Sequence, residues 1–215
     1  ESVARNLGVS LAKGQYLAFL DSDDVWFPHK LSKQLPILMN NPGIAAVFSQ
    51  ALSIDENGEQ LGRLALGQSR KTSDFELENM FISNRIPGGA SSCLMQRNIY
   101  NQVDGLSEDI RFGEDWELWL KIIVNYRIFF IQEPLIGYRQ HSKTQSTIPN
   151  IVQVEERLED YLKLLKRFAK KYPENVSKSL YNRSLAYQYF TAGLGSCFLG
   201  FIEKSKLWLN RAVNY

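Results

Sequence analysis

Tyr16-Leu17-Ala18-Phe19-Leu20 runs directly into Asp21-Ser22-Asp23-Asp24. Five apolar residues after Gly14 read as a strand buried on both faces of a parallel sheet, with the acidic residues at its carboxyl end. Upstream, Val3, Leu7 and Leu11 recur at helical spacing, and Gly14 closes that segment as a helix C-terminal glycine does. Downstream, Pro28 suits the first turn of a helix with Leu31, Leu35 and Leu38 on one face, and Pro36 should kink or break it.

The alternation continues. Ala45–Ile54 reads as a strand, and Asn57-Gly58 as a two-residue hairpin turn toward Gln60–Leu66. Ser73-Asp74-Phe75-Glu76 has capping-box spacing, so a helix should follow it to about Asn84. Beyond Pro87-Gly88-Gly89 come a strand over Ser92–Gln96, a short helix over Arg97–Val103 and a helix from Glu114. Short strands should flank Pro134, at Phe129–Ile131 and Leu135–Arg139. After Pro149 only helical patterns remain, near Val152–Tyr172, Val176–Leu194 and Phe201–Val213. Strands with helices followed by helices alone predict an α/β domain over 1–148 and a helical extension over 149–215.

Composition narrows the classes. With 25 Lys+Arg against 23 Asp+Glu the net charge is +2, too even for the basic face that nucleic acid requires. Hydrophobic residues make up 44%, enough to bury a core. Cys93 and Cys197 form no paired-cysteine motif, which excludes a disulfide scaffold or zinc cluster and suits a reducing cytosol. No apolar run approaches the roughly 20 residues of a membrane span. The chain starts at Glu1 without a Met, in what reads as mid-helix, as a fragment would.

Three carboxylates within Asp21–Asp24 repel one another unless a cation or hydrogen-bond donors compensate. Oxygen ligands suit Mg²⁺ or Mn²⁺, ions that bind through one or two carboxylates together with substrate phosphates. The ends of strands in open α/β sheets are also where ligands bind. A solvated acidic turn that caps the next helix is the plainer reading of the same residues.

With these residues in view, the sequence resembles the glycosyltransferases of family 2. The likeness lies in Ala4-Arg5-Asn6, Gly8, Ala12-Lys13-Gly14, Tyr16–Asp24 and Trp26, and continues through Pro87–Ser92, Asp104–Glu108, Gly113–Trp119 and Tyr138–His141. The resemblance implies a GT-A-like, mostly parallel sheet flanked by helices. The family's opening strand and helix units lie upstream of Val3 in its pattern, so the sheet should be truncated at the amino end and its edge exposed. It also implies a metal-dependent, inverting transfer from a nucleotide-diphosphate sugar to a sugar, lipid-linked sugar or other hydroxyl acceptor.

Roles follow from the same resemblance. Asp23 would bind Mn²⁺ or Mg²⁺, and Asp21 would lie near the ribose or a metal-bound water. Asp115 would be the general base, with Glu114 beside it at the substrate. A helix start would lower the Asp115 pKa, and burial could offset that; both acids also read as ordinary helix caps. His141 is either a metal ligand or a loop histidine. Arg139 would meet phosphate or a carboxylate. Arg5 would touch the nucleotide or pack on its helix. Gly89 would let substrate approach the backbone, or simply turn the chain. Trp116 and Trp119 read as core.

Lys163, Lys166, Arg167, Lys170 and Lys171 crowd the end of the first tail helix, fitting a solvated face that matches the helix dipole. Peripheral contact with the inner face of a membrane is the sharper alternative, in an otherwise cytoplasmic protein. A rival to the enzyme is a truncated, non-catalytic relic or an interaction module with a helical tail. A calcium-binding module on Asp21–Asp24 lacks the glycine and terminal glutamate of an EF-hand loop.

Overall fold

The computed structural model describes residues 1–63, 75–140 and 150–215. Helix α1 (Ser2–Leu11) leads into β1 (Tyr16–Ala18), a short β2 (Val25–Trp26) and α2 (Lys30–Asn40). Then come the long β3 (Ile44–Ile54), β4 (Gln60–Arg63), α3 (Leu77–Ile82), β5 (Leu94–Gln96), α4 (Arg97–Gln102), α5 (Glu114–Ile123) and β6 (Arg127–Arg139). Three helices close the chain: α6 (Ile151–Lys171), α7 (Lys178–Phe198) and α8 (Ile202–Ala212). The α/β class and the helical carboxyl-terminal region are as expected.

The sheet is mixed rather than mostly parallel. Its order is β1-β5-β3-β6-β2, with β4 paired to β3. Only β3 and β6 run parallel among the described strands; the other pairings are antiparallel. An apolar run reveals burial but not the direction of its neighbour, which is why β1 misleads. Among the described strands β1 lies at the edge and pairs with β5 alone, and only Leu17 of its three residues is buried.

β6 is one strand where two were expected. Pro134 has no N–H to give the ladder, and the register with β3 shifts at Gln50, its partner. The Gln50 side-chain oxygen instead accepts the Ala51 N–H at 2.9 Å. The β3–β4 hairpin also differs from the two-residue turn. Asp55 N–H donates to the Glu59 carbonyl, and the Asp55 carboxylate accepts from the Asn57 and Glu59 amides. Gly58, at φ +90°, supplies the left-handed residue of this longer loop.

Two helix faces turn out otherwise. Val3, Leu7 and Leu11 are 59%, 60% and 72% exposed, while Ser2 and Val9 face inward. In α2 the buried residues are Lys30, Gln34 and Leu38, and the helix passes through Pro36 unbroken. Those polar residues are buried because they serve carbonyls. Lys30 Nζ donates to Gln34 Oε1 and the Cys93 carbonyl, and Gln34 Nε2 to the carbonyls of Val47 and Ser92.

One apolar cluster joins the sheet, α5 and the tail: Phe48, Phe81, Trp116, Trp119, Leu165, Phe168 and Leu180 all belong to it. Trp116 and Trp119 are core residues, as read. The Asn150–Gln153 capping box starts α6. The capping box read at Ser73 begins outside the described residues. No helix among the described residues is long and apolar enough to cross a membrane.

Candidate active site

The acidic loop crosses one end of the sheet, because β1 and β2 lie at opposite edges of it. Ser91 pins the crossing at two points. Its hydroxyl accepts the Asp21 N–H at 3.0 Å, and its carbonyl accepts Trp26 Nε1–H at 3.0 Å. Asp24 N–H closes a turn onto the Asp21 carbonyl. From the far side, Arg139 holds the loop: its N–H donates to Asp24 Oδ1 and its Nε to the Asp23 carbonyl. Arg139 Nη1 also donates to the carbonyls of Asp55 and Glu56, so its fork ties the acidic loop to the β3–β4 hairpin.

Asp21 and Asp23 keep part of their surface open, whereas Asp24 is buried. Burial pushes the Asp24 carboxyl up to about 6; the Ser91 hydroxyl and Arg139 N–H pull it back, and the charges of Asp21 and Asp23 add to the rise. Asp24 Oδ2 has no hydrogen-bond partner among the described residues.

Glu114 and Asp115 open α5 behind Gly113, which takes φ +85° at the cap. Arg5 ties this helix start to the acidic loop. Its Nη1 donates to Glu114 Oε1 at 2.8 Å and its Nη2 to Asp21 Oδ1 at 2.6 Å. Asp115 Oδ1 accepts the Trp116 N–H at 2.6 Å, and Asn84 Nδ2 lies 3.4 Å from both Asp115 oxygens. Gly89, at φ +51°, stands against this carboxylate: a Cβ there would sit 3.3 Å from Asp115 Oδ2.

Desolvation raises the Asp115 carboxyl. The Trp116 N–H, Arg5 and Asn84 counter it, and Asp21 reinforces it. Asp115 nonetheless retains intermediate exposure, so it is hemmed in by protein yet reachable. Burial, with Asp115 adding to it, pushes Glu114 up to about 7 against the pull of Arg5. Burial therefore outweighs the helix start at both acids, the outcome that suits a base.

Of the residues singled out in the sequence, Arg5, Asp21, Gly89, Glu114 and Asp115 lie in one linked set. Asp23 and Arg139 adjoin it through the acidic loop. His141 lies outside the described residues. Two participants were not foreseen. Asn84 carries no signal beyond preceding a Pro-Gly-Gly turn, and Ser91 looks like any small residue before a strand. Among the described residues, no group of three or more His, Cys, Asp or Glu is arranged to hold a metal ion.

The basic end of α6 faces carboxylates of its own chain. Lys163 and Arg167 pair with Asp109, Arg167 also with Glu117, and Lys171 with Asp104.

Comparison with known proteins agrees on the class. The family model described as glycosyltransferase-like family 2 matches residues 1–192. An uncharacterised glycosyltransferase of Haemophilus influenzae is 27% identical over 162 residues, covering 74% of this chain and 53% of its own. TuaG of Bacillus subtilis, a glycosyltransferase provisionally assigned to teichuronic acid biosynthesis, is 30% identical over 139 residues, covering 64% and 52%. The chain spans about half the length of the curated relatives it matches. Among solved structures, the mannosyltransferase PcManGT from Pyrobaculum calidifontis, in complex with GDP-Man and Mn²⁺, shares the fold. Its TM-score is 0.51 at 12% identity, over 100% of this chain and 55% of that one.

Proposed function

The chain belongs to glycosyltransferase-like family 2, and on that premise we propose that it serves a metal-dependent, inverting transfer of a sugar from a nucleotide-diphosphate sugar to a hydroxyl acceptor. Residues 1–148 are the GT-A-like part in this reading and 149–215 a helical extension. One observation carries it: Arg5 joins the acidic loop, through Asp21, to the α5 start that bears Asp115.

Asp115 acts as the base. It takes the proton from the acceptor hydroxyl as that oxygen bonds to the anomeric carbon. The bond from that carbon to the diphosphate breaks on the opposite face, and its electron pair leaves with the nucleoside diphosphate. A raised pKa makes Asp115 a stronger base than an ordinary carboxylate, and its partial exposure lets a hydroxyl reach it.

The loop also fits a hard divalent cation. Its donors are all oxygen, and Asp24 Oδ2 is buried without a hydrogen-bond partner among the described residues. Asp23 would hold the ion, and Asp21 would lie near the ribose or a metal-bound water. Bound Mn²⁺ or Mg²⁺ supplies Lewis-acid stabilisation of the leaving diphosphate. The Mn²⁺ and GDP-Man of the mannosyltransferase neighbour support this choice of ion and donor class.

Paired variants test the reading by calorimetry with Mn²⁺ and GDP- or UDP-sugars, alongside turnover. Asp23→Ala should abolish donor binding. Asp115→Asn should bind donor normally and lose about 10²–10⁴-fold in turnover; parental turnover in Asp115→Asn refutes the assignment of the base.

A further inference from the structure

Helix α7 is apolar on two opposite sides. Its inner side carries Leu185, Tyr189 and Ala192, all buried. Ser184 Oγ and Gln188 Nε2 fix that side in place by donating to the carbonyls of Phe81 and Ile82. Its outer side carries Tyr187, Phe190, Leu194 and Phe198, an i, i+3, i+7, i+11 stripe whose exposure runs from 38% at Leu194 to 89% at Phe198. A helix apolar all round is normally enclosed by protein. Among the described residues, this one is covered on its inner side only.

Helix α8 widens the stripe into a face. Leu209 packs so close to α7 that a Cβ on Gly193 would stand 2.8 Å from its Cγ. Ile202 and Val213, seven residues before Leu209 and four after it, lie on the same side of α8, and both are exposed. With them the face shows on the order of 700 Å² of apolar side chain, more than the roughly 300–600 Å² of the largest patch on an ordinary monomer. Two such faces pressed together bury about 1,400 Å², inside the roughly 1,200–2,000 Å² of stable interfaces.

Charge decides what fits this face. An anionic membrane calls for a cluster of about four to eight Lys or Arg beside the apolar surface. The only charges on α7 are Lys178 and Arg183. On α8, Lys204 pairs with Glu155, Lys206 pairs with Glu203, and Arg211 lies over the Tyr189 ring. A second copy of the chain suits the charges better. Arg183 stands one turn before the stripe and Glu203 just past its far end, both exposed. The stripe is centred near Ala192. An antiparallel copy turned about a twofold axis there sets Tyr187 against the partner's Phe198 and Phe190 against the partner's Leu194. Arg183 then arrives at the corner that bears the partner's Glu203. A twofold interface has to match itself in this way.

We propose that the α7–α8 face joins two copies of this chain in an antiparallel, twofold dimer, seated on Phe190, Leu194 and Phe198 and aligned by Arg183 with the partner's Glu203. Sedimentation equilibrium from about 1 to 100 µM tests it. The mass should rise to twice 24.7 kDa. Phe198 is too exposed for its loss to threaten the fold, and Phe198→Asp should weaken association about tenfold or more. Leu7→Asp, on the exposed stripe of α1, should leave association unchanged. Arg183→Glu should weaken the dimer, and adding Glu203→Arg to the same chain should restore it. A mass of 24.7 kDa at every concentration overturns the proposal, as does a dimer that survives Phe198→Asp. A monomer that sediments with phosphatidylglycerol vesicles makes the face a membrane contact and overturns it too. A dimer lost in Phe198→Asp but not restored by the charge exchange overturns the antiparallel alignment.

Discussion

Arg5 and Glu114, 109 positions apart, meet at 2.8 Å with side chains only 16% and 10% exposed. The second arm of the same guanidinium holds Asp21 at 2.6 Å. A planar fork can serve two carboxylates from one fixed position, and a lysine cannot. Arg5→Ala should therefore destabilise the fold by about 3 kcal/mol, because it strands a buried carboxylate. Arg5→Lys should recover only part of that loss. Urea unfolding of the three proteins measures it, and full recovery by lysine would contradict the two-armed role.

Glu114 gives a pH signature with a definite sign. Its carboxyl stands at about 7 in the fold, against an ordinary 4.5. Between those values the folded chain keeps a proton that the unfolded chain has released. Stability contributed by this group is therefore greatest below about pH 4.5 and falls as the pH rises through about 7. The cost reaches at most about 3 kcal/mol at neutral pH. Glu114→Gln should flatten that decline, seen as a converging, then crossing, pair of stability–pH curves. Parallel curves for the two proteins would show that Glu114 does not titrate as described.

Asn84 should be a positioning residue. Its amide lies 3.4 Å from both Asp115 oxygens and favours the ionised form. Removing it in Asn84→Ala should raise the Asp115 pKa further, so the acidic limb of the pH–rate profile moves to higher pH. Turnover at neutral pH should drop while donor KM stays put. A uniform loss at every pH would mark a purely structural effect.

Much of this site was legible in the residues, but not its supports. Asp21, Asp23, Glu114 and Asp115 stood out because the motifs of the family resemblance run through them; taken alone, an acidic turn and a pair of helix caps explain the same residues. Asn84 and Ser91 did not, since each becomes significant only when folding brings it to a residue far along the chain. The same holds for the core of α2. Lys30 and Gln34 lie off the Leu31, Leu35 and Leu38 face that the sequence offers, and their burial follows from carbonyls at Val47, Ser92 and Cys93 that no local pattern reveals. The helices were readable from periodicity, whereas the face each buries was not: Val3, Leu7 and Leu11 make a regular stripe that points outward. Strand pairing was the least visible. β1 has the composition of a central parallel strand and the place of an antiparallel edge.

Gly89 offers the sharpest separation of function from stability. Its φ of +51° lies in the left-handed region, and a Cβ would sit 3.3 Å from Asp115 Oδ2. Neighbouring Gly88 is worse placed, with its Cβ 2.4 Å from Ile136 Cδ1 and 3.2 Å from Ala51 Cβ, so alanine there must disturb β3 and β6 as well. At Gly89 the strain of a left-handed alanine costs about 1 kcal/mol, small enough to leave the fold intact. The 3.3 Å contact is with one oxygen of the carboxylate proposed to take the proton, and relief requires that oxygen to move. Gly89→Ala should then lower turnover by about tenfold or more, because small displacements of a base are costly to proton transfer. Donor affinity should hold, as the acidic loop is untouched. Thermal unfolding with kcat and donor binding decides the matter: a protein destabilised as much as Gly88→Ala, yet fully active, would place the Asp115 oxygen away from the reacting hydroxyl.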